Sequence, residues 1–158
     1  MAGTEKVSWQ LIIFDVSGTL LDGLDAGELY PGALEFVQAA HRKGIDLALA
    51  SNLGRGSLQK FVHNYGLTPY VQVAVSADDA AFKPAPDMIE LVLSLTGYTA
   101  DAALMVGDSA SDMQAARAAR VTTCAALWGG EDPRLAAVSP RYKVKNFNEL
   151  AHLVGVDG

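Results

Sequence analysis

Short apolar runs rich in branched residues alternate with amphipathic stretches along most of the chain, and no other feature constrains the fold so strongly. "WQLIIFDV" (residues 9–16) has the length and β-branched content of a buried strand. "PGALEFVQAAHRKG" reads as a helix, with Pro31 near its start and Gly44 as its stop. The same alternation continues with strand "IDLALASN", helix "RGSLQKFVHNYG", strand "YVQVAVS" and helix "APDMIELVLSLTG". It runs on through strand "AALMVGD", the Ala-rich helix "SASDMQAARAARV", strand "TTCAALWG", a sixth strand around "RYKVKN" and a closing helix, "FNELAHLVG". Units of this length predict an α/β fold: a parallel sheet of five to six strands with helices on both faces. No repeat, low-complexity tract or linker interrupts the pattern, so residues 1–158 read as a single domain.

Charge narrows the function. The formal net charge is -6 and the basic residues form no run, which argues against nucleic acid or an anionic membrane as partner. An anionic substrate would need a local positive site, most simply a metal ion. Cys124 is the only cysteine, so neither an internal disulfide nor a cysteine zinc site is expected. "MAGTEKVSWQ" has no apolar signal region and no apolar run nears membrane-spanning length, so the default expectation is a cytoplasmic protein.

Ligands of open α/β sheets bind beyond the carboxyl ends of the strands, where the strand order reverses. The polar residues that follow the strands are therefore the candidates. Asp15 closes the first strand before a Gly-Thr turn, and could be a nucleophile and metal ligand or merely cap the turn. Asp108 closes the fourth, with Asp112 four residues on, on the same side of a helix start. Oxygen ligands without His or Cys suit Mg²⁺. Ser109-x-x-Asp112 also fits a helix capping box, and the two uses are compatible. Ser51 and Asn52 follow the second strand, where a hydroxyl and backbone N–H groups could hold phosphate oxygens, although an ordinary polar turn reads the same. Lys83, before Pro84, could neutralise a phosphoryl group, although a loop lysine is usually just solvated. Together these residues suit phosphoryl transfer through an aspartyl-phosphate.

The order "FDVSGTLLD", "LALASN", "FKPAPD" and "MVGDSASDMQAARAA" resembles the haloacid dehalogenase (HAD) superfamily. "PGALEFVQAAHRKG" and "KPAPDMIELVLSLTG" are similar to its phosphoglycolate phosphatase and β-phosphoglucomutase branch. The resemblance implies a three-layer Rossmann-like fold and Asp15 as nucleophile, with one oxygen on Mg²⁺. It implies the backbone carbonyl of Ser17 as a metal ligand and Ser17, Gly18 and Thr19 as part of the phosphate-binding loop. Ser51, Asn52 and Lys83 would hold the phosphoryl group, Asp108 would ligate Mg²⁺, and Asp112 would bind the metal or its water. The implied substrate is a phosphorylated small molecule or phosphoprotein.

Two departures from that family matter. Its phosphatases usually carry a second Asp where Ser17 stands, to protonate the leaving group and later activate water. A serine hydroxyl cannot cycle protons near neutral pH, a loss of roughly 10²–10⁴-fold that falls hardest on poor leaving groups. Some relatives assigned to phosphohistidine and pyrophosphate have Ser here, and the transport ATPases have Thr and a long-lived phosphoenzyme. The expectation is a phosphohydrolase favouring good leaving groups, or else a protein that binds phospho-ligands or holds a phosphoryl group without turnover. A proton from Asp22 or Asp25 is disfavoured, because "LDGLD" reads as a hairpin turn. The second departure is a missing cap: only eleven residues separate Thr19 from Pro31, and Asn52 to Lys83 has room for one helix and one strand. Such an open site suits a macromolecular substrate or closure by a second copy of the chain. A receiver domain is disfavoured, since its acidic pair follows the first strand. His41, His63 and His152 lie on helix-like stretches away from the site, and Trp128 and Gly129 could line its mouth or simply pack in the core.

Overall fold

Leu11, Ile12, Ile13 and Phe14 are all fully buried, and as strand β1 (Leu11–Phe14) they form the centre of the molecule. A computed structural model describes residues 8–23, 27–130 and 132–157. β1 is flanked by β4 (Asp46–Ala50) and β6 (Ala103–Gly107), and both pairings are parallel. Beyond them lie β5 (Val71–Val75) on one side, and β7 (Thr122–Ala126) and β8 (Tyr142–Val144) on the other. The six-stranded order is β5-β4-β1-β6-β7-β8, every neighbour parallel. Two short strands, β2 (Leu21–Asp22) and β3 (Glu28–Leu29), pair antiparallel after the first strand, and the turn read at "LDGLD" falls partly on residues 24–26, outside the described residues.

Strand alternation sorts the core into two layers, because successive side chains leave opposite faces of a sheet. Ile12, Phe14, Leu47, Leu49, Leu104 and Val106 meet the apolar faces of α1 (Ala33–Arg42), α2 (Arg55–Asn64) and α6 (Phe147–Val154). Leu11, Ile13, Ala48, Ala50 and Met105 point the other way. They pack on α3 (Asp87–Thr96) and α4 (Ala110–Ala118) through Met88, Ile89, Val92, Ala115 and Ala116. The three-layer α/β fold that the alternation predicts is the one found. The small side chains of α4 let it lie close to β6 and β7, which suits a helix whose first turn must reach the strand ends.

Two short elements are missing from the sequence reading: a 3₁₀ turn (Ala100–Ala102) and one turn of helix, α5 (Leu135–Val138), whose two buried residues are too few to give a period. β5 is an edge strand with alternating exposure. No described helix is long and apolar enough to cross a membrane. Cys124 is buried in β7, which pushes its thiol up to about 12 and leaves it inert as a nucleophile.

The connections decide where a ligand can bind. From β1 the chain runs to β4 and β5 on one side, then returns past β1 to β6 on the other. The order therefore reverses between β1 and β6, and the crevice at their carboxyl ends is the topological switch point. Because Ile13 carries the layer beneath that crevice, Ile13→Ala should cost about 2–5 kcal/mol. Urea unfolding should show a lower midpoint with an unchanged slope.

Candidate functional site

Asp15 follows β1 directly, and its backbone N–H donates to the Val106 carbonyl at 3.1 Å, so the pairing with β6 continues under the carboxylate. The chain then doubles back. The N–H groups of Thr19, Leu20 and Leu21 all donate to the Val16 carbonyl, and that of Gly18 donates to the Leu21 carbonyl at 2.9 Å. Gly18 sits at φ 82°, and a Cβ there would strike the Asp108 carboxylate. Glycine is needed on both counts. The buried Thr19 hydroxyl donates to Asp108 Oδ1 at 3.2 Å, and the Trp128 indole N–H donates to the Thr19 carbonyl at 2.8 Å.

Asp112 is held by the helix it begins. Ser109 is the N-cap of α4, its hydroxyl accepting from the Asp112 N–H at 3.3 Å while Asp112 Oδ2 accepts from the Ser109 N–H at 3.2 Å. The capping box read from the sequence is present, and it leaves Asp112 Oδ1 free for another partner. That partner is Lys83. The ammonium donates to Asp112 Oδ1 at 2.5 Å, to Asp15 Oδ1 at 2.8 Å and to the Ala50 carbonyl at 2.9 Å. Lys83 is 5 % exposed, so this loop lysine is no solvated one. Asn52 fixes its backbone, with Oδ1 accepting from the Lys83 N–H at 3.0 Å and Nδ2 donating to its carbonyl at 3.4 Å.

Asp15, Asp108 and Asp112 each bring a carboxylate oxygen within 4.8 Å of the others. One ammonium does not balance three carboxylates. Burial, then the charge of Asp112, pushes Asp15 up to about 8 despite the lysine beside it. Burial raises Asp108 too, with the charge of Asp112 adding to it. For Lys83, burial alone would favour the neutral amine, but Asp112 and Asp15 outweigh it and hold the ammonium above its ordinary value. Oxygen-only donors carrying excess negative charge suit a hard divalent cation.

These side chains surround a cleft of about 340 Å³ that Ser17 and Ser51 also line. Ser51 is buried, and its hydroxyl oxygen accepts from the Leu53 N–H at 3.1 Å, which leaves the hydroxyl proton free to donate. The structure thus brings Asp15, Ser17, Ser51, Lys83, Asp108 and Asp112 to one place. Asn52 also lines the cleft while its amide holds the Lys83 backbone, and the buried Thr19 hydroxyl donates to Asp108. His41, His63 and His152 lie on α1, α2 and α6, and none lines the cleft. Asp25 lies outside the described residues.

Two supports had no signature in the sequence. Trp128 does pack in the core, its ring 4.4 Å from that of Phe147, yet its N–H tethers the Thr19 turn. Asp132 accepts from the first N–H of α4, at Ala110, at 2.9 Å and from the Arg134 N–H at 2.9 Å, which hold its carboxyl down at about 2. It fixes the helix that carries Asp112 from a loop twenty residues away, a pairing no local spacing reveals.

Known proteins resemble this chain in sequence and fold. The sequence model of the haloacid dehalogenase-like hydrolases matches residues 24–126. A phosphoglycolate phosphatase of Rhodospirillum rubrum is 31 % identical over 135 residues, which are 85 % of this chain and 56 % of that protein. The pyrophosphatase PpaX of Listeria monocytogenes is 28 % identical over 127 residues, 79 % of this chain and 58 % of that protein. The chain thus spans little more than half the length of these relatives. A HAD-superfamily hydrolase of Ehrlichia chaffeensis has the same fold, with a TM-score of 0.82 at 17 % identity over 98 % of this chain and 99 % of that one.

The uneven charge has a measurable consequence. Asp15 titrates at about 8 in the native chain against 3.8 as an unperturbed carboxyl, so between those values the folded protein holds a proton that the unfolded chain has lost. In chelator-treated buffer, stability should therefore fall as pH rises from about 4 to about 8. Asp15→Asn should flatten that slope and raise the midpoint of urea unfolding at pH 8. Lys83→Met should lower the unfolding free energy by about 3–5 kcal/mol, because the buried carboxylates lose their counter-charge.

Proposed function

The chain belongs to the haloacid dehalogenase-like hydrolases, and from that premise we propose that it hydrolyses phosphate esters or anhydrides through an aspartyl-phosphate on Asp15. The observation that carries this reading is the Lys83 ammonium, bonded at once to Asp15 and Asp112 beside Asp108 at the mouth of the switch-point crevice. A carboxylate raised to about 8 is a poor nucleophile at neutral pH unless further positive charge enters the site. Asp15, Asp108, Asp112 and the Ser17 carbonyl would hold Mg²⁺, which restores that charge and orients the phosphoryl oxygens.

Each residue then has a share in the chemistry. An oxygen of the Asp15 carboxylate attacks phosphorus, the bond to the leaving group breaks, and a carboxyl–phosphate anhydride forms. Lys83 balances the negative charge, while the free Ser51 hydroxyl donates to a phosphoryl oxygen. Water then attacks phosphorus and releases Asp15. Nothing at position 17 protonates the leaving group in the first step or takes the proton of water in the second. Leaving groups that depart as stable anions, such as phosphate from pyrophosphate or a carboxylate from an acyl phosphate, are therefore favoured over alkoxides. No domain is inserted between β1 and α1, where the described residues form the β2–β3 hairpin alone, so the cleft is open. It suits a phosphorylated small molecule, and equally a phosphoryl group presented on a protein surface or a cleft covered by a second copy of the chain.

Ser17 also favours a second reading, in which the phosphoenzyme forms and persists. The two readings separate in one experiment. Acetyl phosphate, pyrophosphate, phosphoramidate and an alkyl phosphate are supplied with Mg²⁺ to wild type, Asp15→Asn and Ser17→Asp. Wild type should turn over the first three faster than the alkyl ester, Asp15→Asn should be inactive, and Ser17→Asp should gain on the alkyl ester by roughly 10²-fold. Stoichiometric labelling without release would select the persistent phosphoenzyme. A folded, Mg²⁺-loaded wild type inert to all four compounds would sink both readings.

A further inference from the structure

A second cleft, of about 420 Å³, opens at the opposite end of the sheet from the Asp15 site. It is bounded by Trp9 before β1, Thr122 and Thr123 at the start of β7, Arg141 and Tyr142 at the start of β8, and Arg117 in the last turn of α4. Its chemistry is one-sided. Arg117 and Arg141 line it and no carboxylate does, although the chain as a whole carries a charge of -6. Among the described residues neither arginine forms an ion pair. The Arg141 guanidinium lies 5.6 Å from the centre of the Tyr142 ring, and one N–H of Arg117 donates to the Val138 carbonyl at 2.6 Å, which leaves the rest of both forks unspent.

The indole of Trp9 adds an independent observation. Trp9 is 3 % exposed and stacks edge-on against Tyr142 with ring centres 5.7 Å apart. Its Nε1–H is the one buried side-chain polar atom among the described residues without a hydrogen-bond partner. Such a group is costly to leave unsatisfied and marks a site that expects an acceptor. Thr123 Oγ1 accepts from the Arg141 N–H at 2.8 Å, so its own proton is also free to donate. Unpaired guanidinium forks, a free hydroxyl and an orphaned indole N–H are all donors, and they match the oxygens of a phosphate or carboxylate group.

We propose that this cleft is a binding site for a small oxyanion, with Arg117 and Arg141 as its charged anchors and Trp9 and Tyr142 as its aromatic wall. The site is separate from the Asp15 chemistry and requires no divalent cation. Its position gives it a physical link to that chemistry, since α4 carries Arg117 at one end and Asp112 at the other.

The test uses the full chain as Trp128→Phe, which leaves Trp9 as the sole tryptophan. Inorganic phosphate and succinate are titrated separately with chelator present, following Trp9 emission and, in parallel, heat by calorimetry. At least one probe should give a saturable response, and the probe that responds identifies the head group. Arg141→Gln should weaken binding by about tenfold or more, as expected for loss of a charge-assisted pair, and Arg141→Lys should restore it only in part. Asp15→Asn should leave the response in place. These arginines are exposed, so neither change threatens folding. Absence of saturation by either probe at millimolar concentration would overturn the proposal. So would a response that survives in the Arg117→Gln, Arg141→Gln double variant or disappears in Asp15→Asn.

Discussion

The three bonds of the Lys83 ammonium tie together groups that arrive on three different elements. Asp15 arrives at the end of the central strand, Asp112 on the first turn of a helix, and Ala50 at the end of a neighbouring strand. A buried ammonium with three acceptors loses its water only once all of them are in place, so the lysine specifies their arrangement as much as it stabilises it. Asn52 strengthens this by fixing the lysine's own backbone. The loop after β4 therefore acts on the site indirectly, through the cation it aims.

Neutral partners help the lysine to orient two of the carboxylates. Asp112 gives one oxygen to the Ser109 cap and the other to Lys83, and Asp108 is turned by the Thr19 hydroxyl. Hydrogen bonds to hydroxyl and amide groups set direction without cancelling charge, which is why the cluster keeps its excess negative character. Ser17 fits the same pattern, as a neutral side chain where an acid would add a further buried charge.

Most of the layers were legible because each strand is short, apolar and followed by a helix with a clear period. The candidate residues were legible for a related reason: in a parallel sheet the polar residues after the strands must share one edge. Illegible were the roles that depend on who faces whom across that edge. Thr19 and Asn52 carry the right chemistry for phosphate, and only their distances to Asp108 and Lys83 show that they also hold those residues. Asp132 and Trp128 were invisible as supports because their partners, Ala110 and Thr19, lie far off in sequence. The single turn of α5 is too short to carry a period at all.

The central place of β1 also bears on how the chain is made. One of its edges is covered by β4, but the other waits for β6 at residues Ala103–Gly107. At synthesis rates of ~5–20 residues per second, a wholly apolar strand stands with an open edge on the ribosome for several seconds. The first half of the sheet is thus the part most in need of a chaperone or of tunnel confinement. Asp15 meets its acidic partners only when translation has passed the start of α4.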